Sequence, residues 1–386
     1  MSQTLGGVRP PPAGAEKPTL PRTCYVMGST LPAKMLADMQ SGRRPQAEFS
    51  VFLARHPETS LLDGGAAASF SGVLGAGLSR LRQGNWATAL AALAIRPRPE
   101  LYLTTGEDIG IPLALLAGFR GDRRPVHIIT HGSFFASAKF RRLMLLVRRL
   151  PRVHFLCLSA TIRDRLVSEF GVARSRAHDT SYATDVAFFD PAKADLDPRL
   201  ASDPAGRPLV AAVGAASRDY RTLVRAVSDF GGALRLCIAA DSAWFRMSVD
   251  VTPESLPEHV KLASFAYPEL RSLYRTALFV VIPLYEGRHA CGYSAIVEAM
   301  AMGKAVIATR TENYSDFIVE GETGLLVSPG DVLALKSAID SLLRDPERAI
   351  AMGDAARKRT VALFSEERYV ERIEDVLSRG WTGAIV

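Results

Sequence analysis

The sequence predicts an α/β protein of two doubly wound domains facing each other across a cleft. Three observations carry that expectation. Short apolar runs alternate with amphipathic stretches along the chain, which is the rhythm of parallel strands joined by crossover helices. The length, 386 residues, suits two domains of roughly 100–200 residues each. An Asp-, Pro- and Ala-rich stretch without periodicity, from Asp190-Pro191 to Gly206, breaks the rhythm near the middle and reads as a linker.

In order, Thr23–Met27 is a predicted strand and Ala33–Met39 a helix. Phe49–Ala54, Leu101–Thr105, Val126–Thr130 and Phe155–Ser159 are further strands, the last followed by a helix over Thr161–Phe170. After the linker, Leu209–Val213 is a strand and Tyr220–Val227 a helix. Strands Leu234–Ala239 and Val260–Ala263 follow, and helix Leu270–Thr276 feeds strand Leu278–Pro283. Helix Ser294–Met302 closes at Gly303 before strand Ala305–Thr309. The predicted divisions are a domain over residues 22–190, a linker over 191–207, a domain over 208–365 and a final helix over 366–386. Residues 1–21 contain five prolines and no apolar core, and read as a disordered tail, not a signal peptide. The glycines Gly64, Gly65, Gly72, Gly75 and Gly77 follow no predicted strand, so they read as a small-residue helix or loop and not a dinucleotide fingerprint.

Composition excludes several classes. With 48% hydrophobic and 23% charged residues, the chain is globular rather than disordered. The four cysteines are far apart with no Cys-x-x-Cys pair, which fits a reducing cytoplasm and gives no zinc spacing. No apolar run approaches the ~20 residues of a spanning helix.

Charge is uneven. Residues 1–185 hold 24 Lys+Arg and 13 Asp+Glu, whereas the remainder holds 23 and 27. A basic half points to an anionic partner. The segment from Phe134 to Arg152 is the most basic, with Lys139, Arg141, Arg142, Arg148, Arg149 and Arg152 and no acid, interleaved with Phe134, Phe135, Phe140 and Leu143–Val147. Such a helix suits an anionic membrane interface. Its alternative is a core-packed helix with a solvated basic face. Nucleic acid is disfavoured, because no binding motif accompanies the charge.

In the second half, a buried strand ends at Pro283, a loop with Gly287 and Gly292 follows, and a helix begins near Ser294. The backbone N–H groups of a helix start suit a phosphate. Glu298, one turn inside, can accept hydrogen bonds from two vicinal hydroxyls such as those of a ribose. Alternatively, it merely complements the helix dipole.

The run Glu298-Ala-Met-Ala-Met-Gly-Lys-Ala-Val-Ile-Ala308 resembles the signature of the retaining, nucleotide-sugar-dependent glycosyltransferases of family 4, which have the GT-B fold of two Rossmann-like domains. Ala266–Pro283 and Gly321–Asp331 resemble further segments of that family, and Phe364-Ser-Glu-Glu resembles the start of its last helix, which often crosses back to the N-terminal domain. The resemblance implies that residues 22–190 bind the acceptor and 208–365 the donor. It implies that Glu298 holds the donor ribose and that Gly292, Tyr293 and Ser294 meet the diphosphate through their backbone. Gly214 and Arg218 stand where the family has a glycine and a diphosphate-binding Lys, with Arg221 as a second candidate. His131, at the end of the strand beginning at Val126, stands where the family has a His beside the reacting sugar. His131 and Arg218 are thus the implied catalytic residues.

Two departures are visible. Ala290 occupies the place of the family's first Glu, which touches the donor sugar, and Ala215 replaces an Arg. Glu286, Arg288 and His289 are the candidates to fill the sugar subsite. The implied protein is a retaining hexosyltransferase using a nucleotide-diphosphate sugar, UDP foremost, and a lipid, lipid-linked glycan or other glycan acceptor. The implied mechanism needs no metal, no cofactor and no protein base, since the leaving phosphate oxygen accepts the acceptor's proton. The implied location is the cytoplasm, peripheral on the inner face of the membrane. A nucleotide-sugar epimerase is a weaker reading, which the Glu298-Ala-Met-Ala block opposes. A non-catalytic nucleotide-sugar binder is kept open by Ala290 and Ala215.

Overall fold

The computed structural model describes residues 18–66, 84–132, 135, 137–200, 203–240, 250–286, 291–311 and 316–382. The expected tail up to residue 17, and Gly72, Gly75 and Gly77, lie outside them. The chain divides into two units. One comprises the chain up to Ser41, Gln46–Tyr182 and Glu367 onward; the other comprises Gly42–Pro45 and Ala183–Glu366.

The first unit is a six-stranded parallel sheet of β1 (Thr23–Val26), β2 (Ser60–Leu62), β3 (Leu101–Thr104), β4 (Val126–Thr130), β5 (Val153–Cys157) and β6 (Ala177–Asp179), in the order β2-β1-β3-β4-β5-β6. Every residue of β1, β3 and β4 is buried, which is why these strands read as continuous apolar runs instead of alternating ones. The helices are α1 (Ala33–Gln40), α2 (Glu48–Arg55), α3 (Gly84–Ala94), α4 (Glu107–Phe119), α5 (Ala138–Val147) and α6 (Ala160–Phe170). Helix α6 shows why such segments start and stop. Ser159 Oγ accepts from the Ile162 N–H at 3.2 Å, and Gly171 ends the helix in the left-handed region at φ 65°, which favours glycine.

Phe49–Ala54, expected as a strand, is helix α2 instead. Phe49, Phe52 and Leu53 are buried at i, i+3 and i+4, the spacing of one helix face. The strand expected there is supplied by Ser60–Leu62, which pairs with β1.

The second unit is another six-stranded parallel sheet: β7 (Leu209–Val213), β8 (Arg235–Ala239), β9 (Val260–Ala263), β10 (Phe279–Ile282), β11 (Ala305–Thr309) and β12 (Gly324–Val327), in the order β12-β11-β10-β7-β8-β9. Its helices are α7 (Tyr220–Val227), α8 (Tyr267–Thr276), α9 (Tyr293–Ala301), α10 (Val332–Arg344) and α11 (Pro346–Leu363). The chain winds outward in both directions from the β7/β10 pair. The order reverses between β10 and β7, and in open parallel sheets such a point leaves a crevice beyond the carboxyl ends of the strands.

The units part before Ala183, not at 190 as expected. The reason is local bonding. Arg357 of α11 donates to Phe189 O at 3.2 Å and pairs with Asp190 at 3.1 Å. Arg271 of α8 donates to Phe188 O at 3.1 Å.

The last helix, α12 (Glu366–Thr382), contributes residues from Glu367 onward to the first unit. It is fixed there by a buried charge cluster. Arg55 donates to both Glu374 oxygens at 2.7 and 2.8 Å, and the His56 ring lies 2.7 Å from one of them. Burial alone would raise the Glu374 carboxyl, but the bonds from His56 and Arg55 outweigh it and hold the group below its ordinary value. Glu374→Ala removes the carboxylate that the Arg55 guanidinium, 4% exposed, bonds through two nitrogens. Chemical denaturation is expected to show a loss of about 3–5 kcal/mol. A loss below about 1 kcal/mol, typical of exposed pairs, would contradict this account.

Candidate functional site

The turn from β7 into α7 is shaped by one glycine. Gly214 has φ +102°, and a Cβ there would come within 2.8 Å of the Arg218 guanidinium carbon. Only hydrogen leaves room for Arg218 to fold back across the turn. Its Nε donates to Val213 O at 2.8 Å and its Nη1 to Ala216 O at 2.7 Å. The Tyr220 hydroxyl donates to Gly214 O. Two backbone bonds stitch this turn to the loop after β10: Asp219 N–H to Pro283 O and Tyr285 N–H to Ser217 O, each 3.1 Å. The loop is held further by Leu284 N–H donating to the buried Thr309 hydroxyl at 2.9 Å.

Glu298 lies on α9 and is half-buried. The Tyr274 hydroxyl donates to its Oε2 at 3.1 Å. Burial pushes the carboxyl up to about 7, against the opposing effects of the Tyr274 bond and the Arg218 charge. Arg218 and Glu298 are therefore electrostatic neighbours at the crevice, and Glu298 is poised between its two protonation states near neutral pH. Tyr274 carries no local motif; its role emerges only when α8 packs beside α9.

Helix α9 begins after Gly292, which sits in the left-handed region at φ 87° and offers no side-chain cap. Ser294 is exposed there. Tyr293 is 4% exposed, with its ring 4.8 Å from that of Phe317, so only its backbone belongs to the site. The Arg221 side chain is exposed. Its N–H donates to Asp250 at 3.1 Å, on the same oxygen that accepts from the Tyr285 hydroxyl at 2.6 Å. Asp250 and Tyr285 also escape a sequence reading. Glu286 is exposed, and Arg288, His289 and Ala290 lie outside the described residues.

In the first unit, the order reverses between β1 and β3. His131 directly follows β4, exposed, with Nε2 3.0 Å from Thr105 O. A carbonyl only accepts, so Nε2 donates to it and Nδ1 makes no bond to that carbonyl. Gly132 N–H donates to Glu107 at 2.7 Å, which fixes the turn. Glu48 on α2 is within electrostatic reach of His131; burial raises its carboxyl against that influence. Reading α2 as a strand hid this residue.

The basic segment forms α5 and the turn after it. Met144 and Val147 are buried, whereas Lys139, Arg142 and Arg149 are exposed beside Leu145 and Leu146, 43% and 55% exposed. Arg148 is committed internally, donating to Phe170 O at 2.6 Å. Arg141 lies 3.9 Å from Glu169 and over the Phe170 ring. Among the described residues, no helix is long and apolar enough to cross a membrane.

Comparison with known proteins places this geometry. The family model of glycosyl transferases group 1 matches residues 203–359. A lipopolysaccharide core biosynthesis mannosyltransferase, LpcC, from Rhizobium leguminosarum bv. viciae is 29% identical over 203 residues, covering 50% of this chain and 56% of that protein. Alpha-maltose-1-phosphate synthase from Mycolicibacterium smegmatis is 26% identical over 251 residues, 57% of this chain and 62% of its own. The chain thus spans less than two thirds of the length of these curated relatives. Among solved structures, sucrose-phosphate synthase from Thermosynechococcus elongatus superposes with a TM-score of 0.65 at 17% identity, over 94% of this chain and 100% of that one. HepE from Anabaena, in complex with UDP and glucose, gives 0.66 at 14% identity over 93% and 99%. Residues 203–359, in the second unit, thus match the group 1 glycosyltransferases, and the two Rossmann-like units have the GT-B fold of these solved structures.

Proposed function

We propose that the protein is a retaining glycosyltransferase that moves a hexose from a nucleotide-diphosphate sugar to a hydroxyl of a lipid, lipid-linked glycan or other glycan. The observation that carries this reading is Glu298, held by Tyr274 and neighboured by Arg218 at the β7/β10 crevice. A half-buried carboxylate suits the two hydroxyls of a ribose. The adjacent guanidinium and the first turn of α9 suit the diphosphate. In this reading Arg218 and the α9 backbone take up the charge of the leaving diphosphate, with no metal required, while the leaving oxygen accepts the acceptor's proton. By the family resemblance, His131 contributes a hydrogen bond to the reacting sugar. UDP is the nucleotide we favour, as held by HepE. The mannosyltransferase LpcC makes GDP-mannose the alternative to test.

Incubation with labelled UDP-glucose, UDP-N-acetylglucosamine and GDP-mannose plus a membrane extract should transfer label with the anomeric configuration kept. Binding without turnover would instead favour a non-catalytic binder, and release of an epimerised sugar an epimerase.

The acidity of Glu298 gives a signed pH dependence. A ribose-bound carboxylate must be ionised, and its free value of about 7 means that binding requires losing a proton below that pH. Nucleotide-sugar affinity should therefore rise about tenfold between about pH 6 and pH 8. Tyr274→Phe removes a bond that favours the carboxylate, so the midpoint should move up. Glu298→Gln should abolish the dependence and weaken binding by about 1.5–3 kcal/mol. A pH-flat affinity for the wild type in calorimetry would contradict the assignment.

The exposed stripe of α5 supports a membrane-borne acceptor. Vesicles with acidic lipid should bind the protein, with salt weakening but not abolishing the interaction. Charge reversal of Arg142 and Arg149 together with Leu146→Ser should weaken vesicle binding and leave nucleotide affinity unchanged. Equal sedimentation with neutral and acidic vesicles would point to a soluble acceptor.

A further inference from the structure

The donor crevice lies at the carboxyl ends of the second unit's strands. A separate basic cavity lies at the amino ends of the strands in the first unit. Its volume is about 880 Å³, and it is lined by Arg22, Arg98, Arg120, Arg123, Arg124 and Arg152 with Glu100 and Asp122. The arginines converge for a topological reason. Arg22, Arg98, Arg123–Arg124 and Arg152 lie within three residues before the starts of β1, β3, β4 and β5. Those four strands are consecutive neighbours in a parallel sheet, so their starts share one edge at a spacing of about 4.8 Å. Arg120 joins them from the end of α4.

The cavity is built as well as charged. Arg124 is fixed by Asp122, with Nε 2.9 Å from Oδ1, and stacks on Tyr102 at 4.8 Å from the ring centroid. The carboxyl of Asp122 is held below its ordinary value by Arg124, against the effect of burial. Glu100 accepts from the Arg22 N–H at 2.7 Å, and the Arg22 guanidinium is 3.8 Å from it. These pairs use both carboxylates of the cavity and two of its arginines. Arg98, Arg120, Arg123 and Arg152 remain at the rim, exposed, and among the described residues their side chains form no hydrogen bond or ion pair. Six arginines against two carboxylates leave a net charge of +4.

We infer that this cavity is an anion site for a ligand bearing two phosphate groups, distinct from the donor site. Two phosphomonoesters carry about −3 to −4 at neutral pH, which matches the surplus charge. Guanidinium forks bind phosphate oxygens bidentately, and four such forks provide two for each phosphate. The chemistry is shared by a free bisphosphate and by the phosphomonoester headgroups of a bilayer, and Phe119, 93% exposed and adjacent to Arg120, offers an apolar contact to either a ligand's scaffold or a lipid chain.

The test uses fructose 1,6-bisphosphate as the soluble probe and phosphatidylcholine vesicles with and without phosphatidic acid as the membrane probe. Titration is done on the full chain with the donor site saturated by nucleoside diphosphate, and repeated on Glu298→Gln. Saturable binding of the soluble probe at one site per chain, or binding only of phosphatidic-acid vesicles, supports the inference and identifies the source. In either case the triple variant Arg98→Gln, Arg120→Gln, Arg123→Gln should weaken binding by at least roughly tenfold. These side chains are exposed, so the thermal midpoint should hold, and nucleoside diphosphate affinity should be unchanged. Binding of neither probe, affinity unaltered in the triple variant, or loss of probe binding on saturation with nucleoside diphosphate would overturn it.

Discussion

The folding of Arg218 across Gly214 is the contact on which the second unit's crevice depends. It requires a residue without a Cβ at the end of β7, because the guanidinium occupies the space a side chain would take. Once there, Arg218 satisfies the carbonyls of Val213 and Ala216, which would otherwise be left by the turn. The same turn bonds to the exit of β10 through Asp219 and Tyr285. The two strands at which the sheet order reverses are thereby joined beyond their hydrogen-bonded ladder. The charge so placed also makes a carboxylate tolerable next to it.

Glu298 illustrates the balance. Burial favours its neutral form; the Tyr274 hydroxyl and the Arg218 charge favour the ionised form; burial prevails by enough to bring the group near neutrality. Its folded value lies above its unfolded one, so it contributes to stability fully below about 4.5 and loses that contribution as pH rises toward about 7. A group that destabilises the folded protein in its ionised form is one that a bound ligand can stabilise. Stability is given up at this position in exchange for a receptive site, as binding sites commonly require.

Much of this was legible in the sequence. The central strands were, because a run buried on both faces is apolar throughout and short enough to stand out. The edge strands Ser60–Leu62 and Ala177–Asp179 were not, since three residues carry no period. Phe49–Ala54 failed for a related reason: a short apolar run fits either a strand or a buried helix face. Glu298 stood out as an acid one turn inside a helix that follows a strand, with the dipole as its alternative, whereas Gly214 and Arg218 were reached only through the family resemblance. Tyr274 was not, because only the packing of α8 beside α9 brings it to Glu298. Arg148 shows the opposite case. Its charge counted toward a basic surface in the sequence, yet the fold commits it to the Phe170 carbonyl. The arginine cavity was hidden too: its members are spread from Arg22 to Arg152 and meet only through parallel register, although the excess charge of that half was plain.

The central claim is that a nucleotide occupies the β7/β10 crevice of the second unit. Hydrogen–deuterium exchange with and without nucleoside diphosphate tests it most directly, because it reports where the ligand sits without assuming which residues bind it. The account predicts slowed exchange confined to the turn from Val213 to Asp219 and the start of α9 from Gly292 onward, with the sheet of the first unit unaffected. Protection elsewhere with these two segments unchanged would contradict it.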